Sequence, residues 1–333
     1  AYSAGDRRRA APGFFGQEND NPQARAAQRP RLAGHDDCDS GAGNAHSDRA
    51  NFYVNRARLG APSTPHGSQS AYVLSASGIV GAYKAGDSVA VVADSYWRAE
   101  KALSVLNVEW ETGGKETVSS ETIFAQFDRD ISNGVDRKHD VVTGDANVAF
   151  NDATTILPAD YRVPFLAHSC MEPPNATAEV SADRAEIWIG CQNPLGFRQH
   201  IAAELGLDVE NVTLHNHFMG GGFGRKSNAD YGLQAAVIAR AVGRPVQLVY
   251  SRAEDIRQDF YRPAVQSRFK AGLDADGKLI AWQNTYVEKH EPIEAPLIPY
   301  SVTSQDIGHV ASPTHVPFGA WRSVDHSQHG FFT

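Results

Sequence analysis

The chain has little cysteine: Cys38, Cys170 and Cys191 are its three, far apart and without a Cys-x-x-Cys pair. Neither a disulfide framework nor a zinc knuckle is expected from that spacing. No stretch reaches the roughly 18 apolar residues that a membrane-crossing helix needs. Basic residues are outnumbered, 31 Lys and Arg against 39 Asp and Glu, for a net charge of −8, which argues against a nucleic-acid partner. Arg7-Arg8-Arg9 is followed by Ala-Ala-Pro-Gly rather than by an apolar core, so no signal peptide is read there. What remains is ordinary for a globular protein, 41% hydrophobic over 333 residues, a length that suggests about two domains.

Residues 1–72 lack more. They contain nine arginines but no Lys, Ile, Met or Trp, and Lys84 is the first lysine of the chain. Gly, Pro, Ser, Asp and Arg dominate without a period of 2 or 3.6, so this stretch offers little apolar surface against its ordering entropy. Two readings stand: a disordered leader or linker, and a non-native, out-of-frame translation of a GC-rich gene.

From residue 78 the patterns become regular. Gly78–Lys84 and Ser88–Asp94 read as strands, and Tyr96, Ala99, Leu103 and Leu106 share one helical stripe. Asn107–Trp110 reads as a short strand. Residues 115–150 are polar, with one helix expected around Ser119–Asp130. Tyr161–Ala167, Thr177–Val180, Glu186–Cys191, Val209–Leu214 and Val246–Tyr250 look extended. Asn193-Pro194 should open a helix whose apolar face is Leu195, Ile201, Ala202 and Leu205, ended by Gly206. Ser227 should open the next helix, and Ala264–Gly272 with Leu279–Val287 should form a hairpin. No internal repeat is present.

The strongest local feature is Met219-Gly220-Gly221-Gly222-Phe223-Gly224-Arg225-Lys226, between a strand and a helix. Such a loop lets backbone N–H groups approach a ligand, although a flexible tight turn has the same letters. It is neither a dinucleotide fingerprint nor a P-loop, because Arg225 stands where each requires a small residue or glycine; a nicotinamide dehydrogenase is therefore disfavoured. His215 and His217, His168-Ser-Cys170-Met-Glu172 and His326-Ser-Gln-His329 invite metal readings, but none has a ligand spacing with a matching partner, and satisfied polar or core histidines are the simpler reading. No G-x-S-x-G elbow occurs.

Several segments taken together resemble the large, molybdenum-binding subunit of the xanthine oxidase family, in the branch of the isoquinoline 1-oxidoreductase beta subunit and related molybdopterin-dependent aldehyde dehydrogenases. They are Asp87–Asp94 with Tyr96-Trp-Arg-Ala99, Tyr161–Glu179, Ile187-Trp-Ile-Gly-Cys-Gln-Asn-Pro194, Phe218–Lys226, Ser251–Ile256 with Tyr261-Arg-Pro263, and Ala320-Trp-Arg-Ser-Val324. Their order and spacing are more specific than any one of them.

The resemblance implies a mixed α/β (α+β) fold. It would divide into an unassigned segment 1–72, a partial hammerhead domain over 73–114, a linker over 115–150, and the first part of a molybdopterin-binding domain over 151–333. It implies that Gln192 hydrogen-bonds an oxo ligand of molybdenum, and that Gly220, Gly221, Gly222, Phe223 and Gly224 pack against the metal and its pterin. Arg322 and Ser323 would form a second loop there, and Val324 would face substrate. No protein side chain would ligate the metal, and the family's general-base glutamate would lie beyond residue 333.

The implied reaction is oxidative hydroxylation of an aldehyde or N-heteroaromatic ring at a molybdopterin, in its cytosine dinucleotide form. Electrons would leave through [2Fe–2S] clusters on a small partner subunit to an acceptor such as a cytochrome. The compartment stays open between bacterial cytoplasm and periplasm. The alternative is a non-catalytic binding domain that keeps the fold without the cofactor.

Overall fold

The run Ser88-Val-Ala-Val-Val-Ala93 is buried at all six positions, as a strand covered on both faces must be. In the computed structural model, which describes residues 50–56, 76–108, 110, 113–134, 136–288, 298–324 and 326–333 (50–56 and 288 by backbone only), this run is a central strand. It is β3 (Ser88–Ala93), antiparallel to β2 (Ile79–Ala85) on one side and to β1 (Ala50–Arg56) on the other. β1 in turn runs parallel to β9 (Val246–Val249). With β6 (Asn175–Val180), β7 (Ala185–Ile189) and β8 (Val212–Asn216), these make a seven-stranded sheet of order β2-β3-β1-β9-β6-β7-β8.

Alternation decides what covers the sheet. Ala176, Ala178, Ile187, Ile189, Val246 and Leu248 form one core under α4 (Pro194–Leu205) and α5 (Asp230–Val242). On the opposite face, α1 (Tyr96–Ser104) packs Ala99, Ala102 and Leu103 onto Val91 and Ala93. α4 begins as expected: the Asn193 side chain accepts from Gly196 N–H at 3.1 Å, Pro194 follows, and Gly206 closes it at φ 64°. Its buried face is Phe197, Ile201, Ala202 and Leu205, whereas Leu195 is 73% exposed. Leu195 lies seven residues before Ala202, at the edge of the same stripe, but in the first turn of the helix, where it stays exposed.

A second sheet holds β4 (Lys138–Thr143), β12 (Ser304–Ala311), β11 (Leu279–Glu288), β10 (Val265–Leu273) and β5 (Thr155–Val163), in that order. β10 and β11 are the expected hairpin. At its turn Asp274 Oδ1 accepts the N–H groups of Asp276 and Lys278 at 3.0 and 2.9 Å. α2 (Ser120–Asn133) opens on a capping box between Ser119 and Thr122 and buries Ile123, Phe127 and Ile131 in a core with Val287 and Val310. α3 (Ala146–Asp152) follows β4, so residues 115–150, expected as a linker with one helix, carry two helices and a sheet strand. The remaining helices, α6 (Arg252–Arg257) and α7 (His326–Phe332), are short.

Three further expectations change. Of the expected strand Asn107–Trp110, Asn107 and Val108 are not extended into a sheet and Trp110 makes a bridge, while residue 109 lies outside the described residues. α5 starts at Asp230 rather than at Ser227, because Arg225–Ser227 forms a 3-10 turn whose Arg225 and Lys226 side chains are drawn inward. Within 1–72, Ala50–Arg56 is a paired strand; the rest of that segment, with Cys38, lies outside the described residues. No helix among the described residues is long and apolar enough to cross a membrane.

The packing separates two leucine-sized positions sharply. Ile187→Ala, at a fully buried site, should cost about 2–5 kcal/mol, while Leu195→Ala should stay within about 0.5 kcal/mol. Urea unfolding of both variants checks this, and comparable losses would show that the α4 face is misassigned.

Candidate functional site

Strand direction gathers the site. β7 and β8 are parallel, so the loops that leave their carboxyl ends emerge side by side, where ligands of α/β sheets bind. β6 is antiparallel to β7, and β9 to β6. The segment entering β6 (168–174) and the segment leaving β9 (250–259) therefore reach the same end. Asn216 locks the first two loops together: its Oδ1 accepts from Cys191 N–H at 2.9 Å and its Nδ2 donates to Cys191 O at 3.2 Å. Gln192 N–H donates to Lys226 O at 2.8 Å.

The glycine loop is held by what it touches. Gly220 N–H donates to Glu172 Oε2 at 2.7 Å, and Gly222 O lies 3.4 Å from Cys170 Sγ. A Cβ at Gly222 would fall 2.4 Å from Gln192 Oε1. At Gly224, whose φ is +108°, a Cβ would fall 1.8 Å from Ala320 O. That contact brings in the distant loop 320–324, and Arg322 N–H donates to Phe223 O at 2.8 Å. The expected site residues Gln192, Gly222, Phe223, Gly224 and Arg322 thus meet across a span of more than a hundred residues. Ser323 and Val324 follow on the same loop and are exposed.

Several donors of the site are left over. Gln192 Oε1 accepts from Gly224 N–H at 3.0 Å; this fixes the amide orientation and leaves Nε2 on an exposed side chain. No acceptor among the described residues takes the N–H groups of Gly221, Gly222 or Phe223. Backbone strain collects here as well. Of the five non-glycine residues with positive φ among those described, Ser169, Phe223, Ser323 and Val324 lie in these segments. Each costs about 1–3 kcal/mol and persists only where its surroundings over-determine it.

Beneath the loop runs a bed of buried charge that the sequence reading did not find. Arg225, with no exposed side-chain surface, makes a bidentate pair with Asp230 at 2.8 and 2.9 Å. Its Nε also lies 3.0 Å from Asp259 Oδ1, aimed off the hydrogen-bond direction. His168 bonds Asp259 on one side of its ring and Ala320 O on the other. Lys226 Nζ reaches Glu172 Oε2 at 2.5 Å, and Arg252 pairs with Asp255 at 2.5 Å. Burial disfavours the Arg225 charge, yet Asp230 holds its pKa above the ordinary range. Burial and the nearby Asp259 push the Asp255 carboxyl up against Arg252. Burial also raises both described thiols, Cys191 to about 11, so each stays neutral at pH 7.

The other histidines do not converge. His215 pairs with Glu186 at 2.7 Å and stacks on Trp188; His217 and His326 are exposed and His329 is buried. No three of His, Cys, Asp and Glu among the described residues are grouped to hold a metal ion. A cleft of 680 Å³ lies on the second sheet, lined by Arg137, Pro158, Arg268, Phe269 and Gln283 among others. Its arginines are already paired, Arg137 with Asp306 and Arg268 with Asp160 and Asp128.

Two outcomes follow for the loops. Gly224→Ala should part them, seen as faster amide exchange over residues 320–324; unchanged protection there would contradict the close approach. For Glu172, burial opposes ionisation, but Lys226, Gly220 N–H and Asn175 together hold its carboxyl below the ordinary 4.5. The stability it contributes is therefore complete above that value and lost as pH falls through its lowered one. Glu172→Gln should melt earlier than the parent at pH 7 and show a flatter acid limb in a Tm-versus-pH series; identical limbs would show that the pair contributes nothing.

Comparison with known proteins places this geometry. The profile of the molybdopterin cofactor-binding domain matches residues 128–310, beginning inside the stretch expected as a linker. The membrane-bound aldehyde dehydrogenase [pyrroloquinoline-quinone] of Gluconacetobacter polyoxogenes is 31% identical over 195 residues, 58% of this chain and 25% of that protein. The isoquinoline 1-oxidoreductase subunit beta of Brevundimonas diminuta is 29% identical over 207 residues, 59% of this chain and 26% of that one. The chain thus spans about a quarter of the length of these curated relatives. The aldehyde oxidoreductase of Desulfovibrio gigas shares the fold, with a TM-score of 0.64 at 19% identity over 86% of this chain and 37% of its own. With the family's profile covering more than half of its residues, the chain belongs to the molybdopterin cofactor-binding domain family.

Proposed function

We propose that the chain holds a molybdopterin between its glycine loop and its Ala320–Val324 loop, as part of the large subunit of a molybdenum hydroxylase acting on aldehydes or N-heteroaromatic compounds. The observation that carries this reading is the clasp of two backbone loops, Arg322 N–H to Phe223 O and Gly224 against Ala320, beside glycine-loop N–H groups that no acceptor among the described residues takes. The residues present fit the group. A Cβ at 222 or 224 would fill the cradle, and N–H groups with the Arg322 guanidinium suit the oxygen acceptors of such a cofactor. When bound, the molybdenum centre supplies the oxidative hydroxylation chemistry.

The chain's own residues hold and orient. Gln192 is anchored through its carbonyl to Gly224 and keeps an N–H to donate into the mouth. Phe223 and Val324, both exposed, offer apolar walls to substrate. Arg322 and Ser323 close the second side. The relatedness to the isoquinoline branch supports the cytosine dinucleotide form. Cys170 and Cys191 are separately buried and leave no site for a [2Fe–2S] cluster among the described residues, which supports a small iron–sulfur partner passing electrons to an acceptor such as a cytochrome.

Molybdenum and pterin assays test the reading on protein made in a host that synthesises the cofactor. Both should copurify with the parent and be lost from Gly222→Val at unchanged circular dichroism. Gln192→Ala should keep the metal, while turnover in the assembled enzyme falls roughly 10²–10³-fold. Full molybdenum in Gly222→Val would overturn the cradle, and undiminished turnover in Gln192→Ala would overturn the glutamine's role.

A further inference from the structure

We propose that the cleft on the second sheet is a binding site for an amphipathic monocarboxylate, whose carboxylate meets Lys270 and Gln283 and whose hydrocarbon covers Ile156 and Pro158. Strand register builds its floor. Pro158, Lys270 and Gln283 stand opposite one another across β5, β10 and β11, and Asp160, Arg268 and Thr285 form the next row. Directly paired residues of neighbouring strands share a face of the sheet, so each row presents its side chains together. The end of α2 contributes Ile131 and Ser132 to one wall. On the other side Gly272 leaves room for α3, since a Cβ there would come within 3.0 Å of Phe150. The space of 680 Å³ between them is that of a small-molecule site, and none of its lining residues belongs to the glycine loop or the Ala320–Val324 loop.

One cation on this floor is left over. Arg137 uses all three of its nitrogens: Nε donates to Thr285 Oγ1, Nη1 to Asp306 and Nη2 to the Asn284 carbonyl. Arg268 does the same with Asp160, Ser132 and Asp128, at 2.8 to 3.0 Å. The neighbouring carboxylates are therefore taken. Asp306 holds Arg137 with His139 beside it, Asp160 holds Arg268, and Asp128 is shared between Arg268 and Arg162. Lys270 has no carboxylate among the described residues; its Nζ lies 4.1 Å from the centre of the Phe150 ring. That ring attracts the charge without neutralising it. The Gln283 amide opposite makes no hydrogen bond among the described residues either.

A carboxylate matches what is missing. Its two oxygens accept from an ammonium and an amide at once, and it carries the one negative charge that Lys270 lacks. Cross-strand partners stand about 4.5–5.5 Å apart at Cβ, close enough for both side chains to meet one such group. Beside them Ile156 and Pro158 are exposed, and only a ligand with an apolar body takes these from water; a bare phosphate would not. A second carboxylate on the ligand would face Asp160 in the adjoining row, so the acid is a monoacid.

Octanoate is the probe, with octanamide and inorganic phosphate as its comparisons. Calorimetry on the purified chain should show octanoate saturating one site, and the methyl signals of Ile131 and Ile156 should shift in ¹³C spectra. Octanamide and phosphate should each bind at least about 10-fold more weakly. Lys270→Met should weaken octanoate roughly 10- to 100-fold, the loss expected for one hydrogen bond between charged groups. Lys270→Arg should retain binding. Gln283→Glu, which supplies the lysine with a carboxylate of its own, should lose it. Circular dichroism establishes that each variant is folded; if Lys270→Met is not, Gln283→Glu and the octanamide comparison still decide. The proposal is overturned by any of four results: no binding of octanoate, octanamide or phosphate binding as tightly, octanoate affinity unchanged in a folded Lys270→Met or Gln283→Glu, or methyl shifts that bypass Ile131 and Ile156.

Discussion

Two stretches of main chain can lie against each other only where no side chain stands between them, and Gly224 is where this protein requires it. Its backbone occupies space that the smallest side chain would drive into the Ala320 carbonyl. The hydrogen bond from Arg322 to Phe223 and the positive φ angles of Phe223, Ser323 and Val324 are consequences of that contact. A β-branched valine does not enter the left-handed region unaided. It is held there because both ends of a short loop are fixed, one by the glycine loop and the other by α7.

Beneath that contact the protein buries charge rather than hydrocarbon. Ion pairs such as Arg225–Asp230 and Lys226–Glu172 contribute little net stability once desolvation is counted. Their geometric demands are strict, however, and leucines in their place would pack in many ways. Because Arg225 and Lys226 continue the glycine loop directly, the loop's path is set by where those two side chains must end. The delayed start of α5 is the visible trace of this. A helix beginning at Ser227 would have carried the arginine away from Asp259.

Much of the secondary structure was legible from local letters. Asn193-Pro194, Gly206, the Asp274 turn and the valine-rich β3 carry their instructions within a few residues. Leu195 misled because it is apolar at the first turn of a helix whose buried stripe is defined by Phe197, Ile201 and Leu205. The candidate site divides along the same line. The glycine loop could be picked out by composition, and Gln192, Arg322 and Val324 only through family resemblance. His168 and Asp259 could not be paired from sequence at all, since their partnership with Ala320 depends on strand directions that bring three remote segments to one sheet end. The single local hint was the polar cluster from His168 to Glu172. Residues 115–150 were underestimated because polar edge elements, such as the half-exposed β4, lack the apolar rhythm that announces a strand.

The place of β1 has a consequence for how the chain reaches this structure. β1 joins β3 to β9, and its parallel partner Val246–Leu248 lies roughly two hundred residues downstream. A growing chain can form the β2–β3 hairpin early, but one flank of β1 stays open until β9 has been made. Loop closure of that length is slow, and open strand edges invite pairing with other chains in the interval. Synthesis of the molecule therefore passes through a period in which its middle seam is its most adhesive surface, and chaperone demand should peak there rather than at the ends.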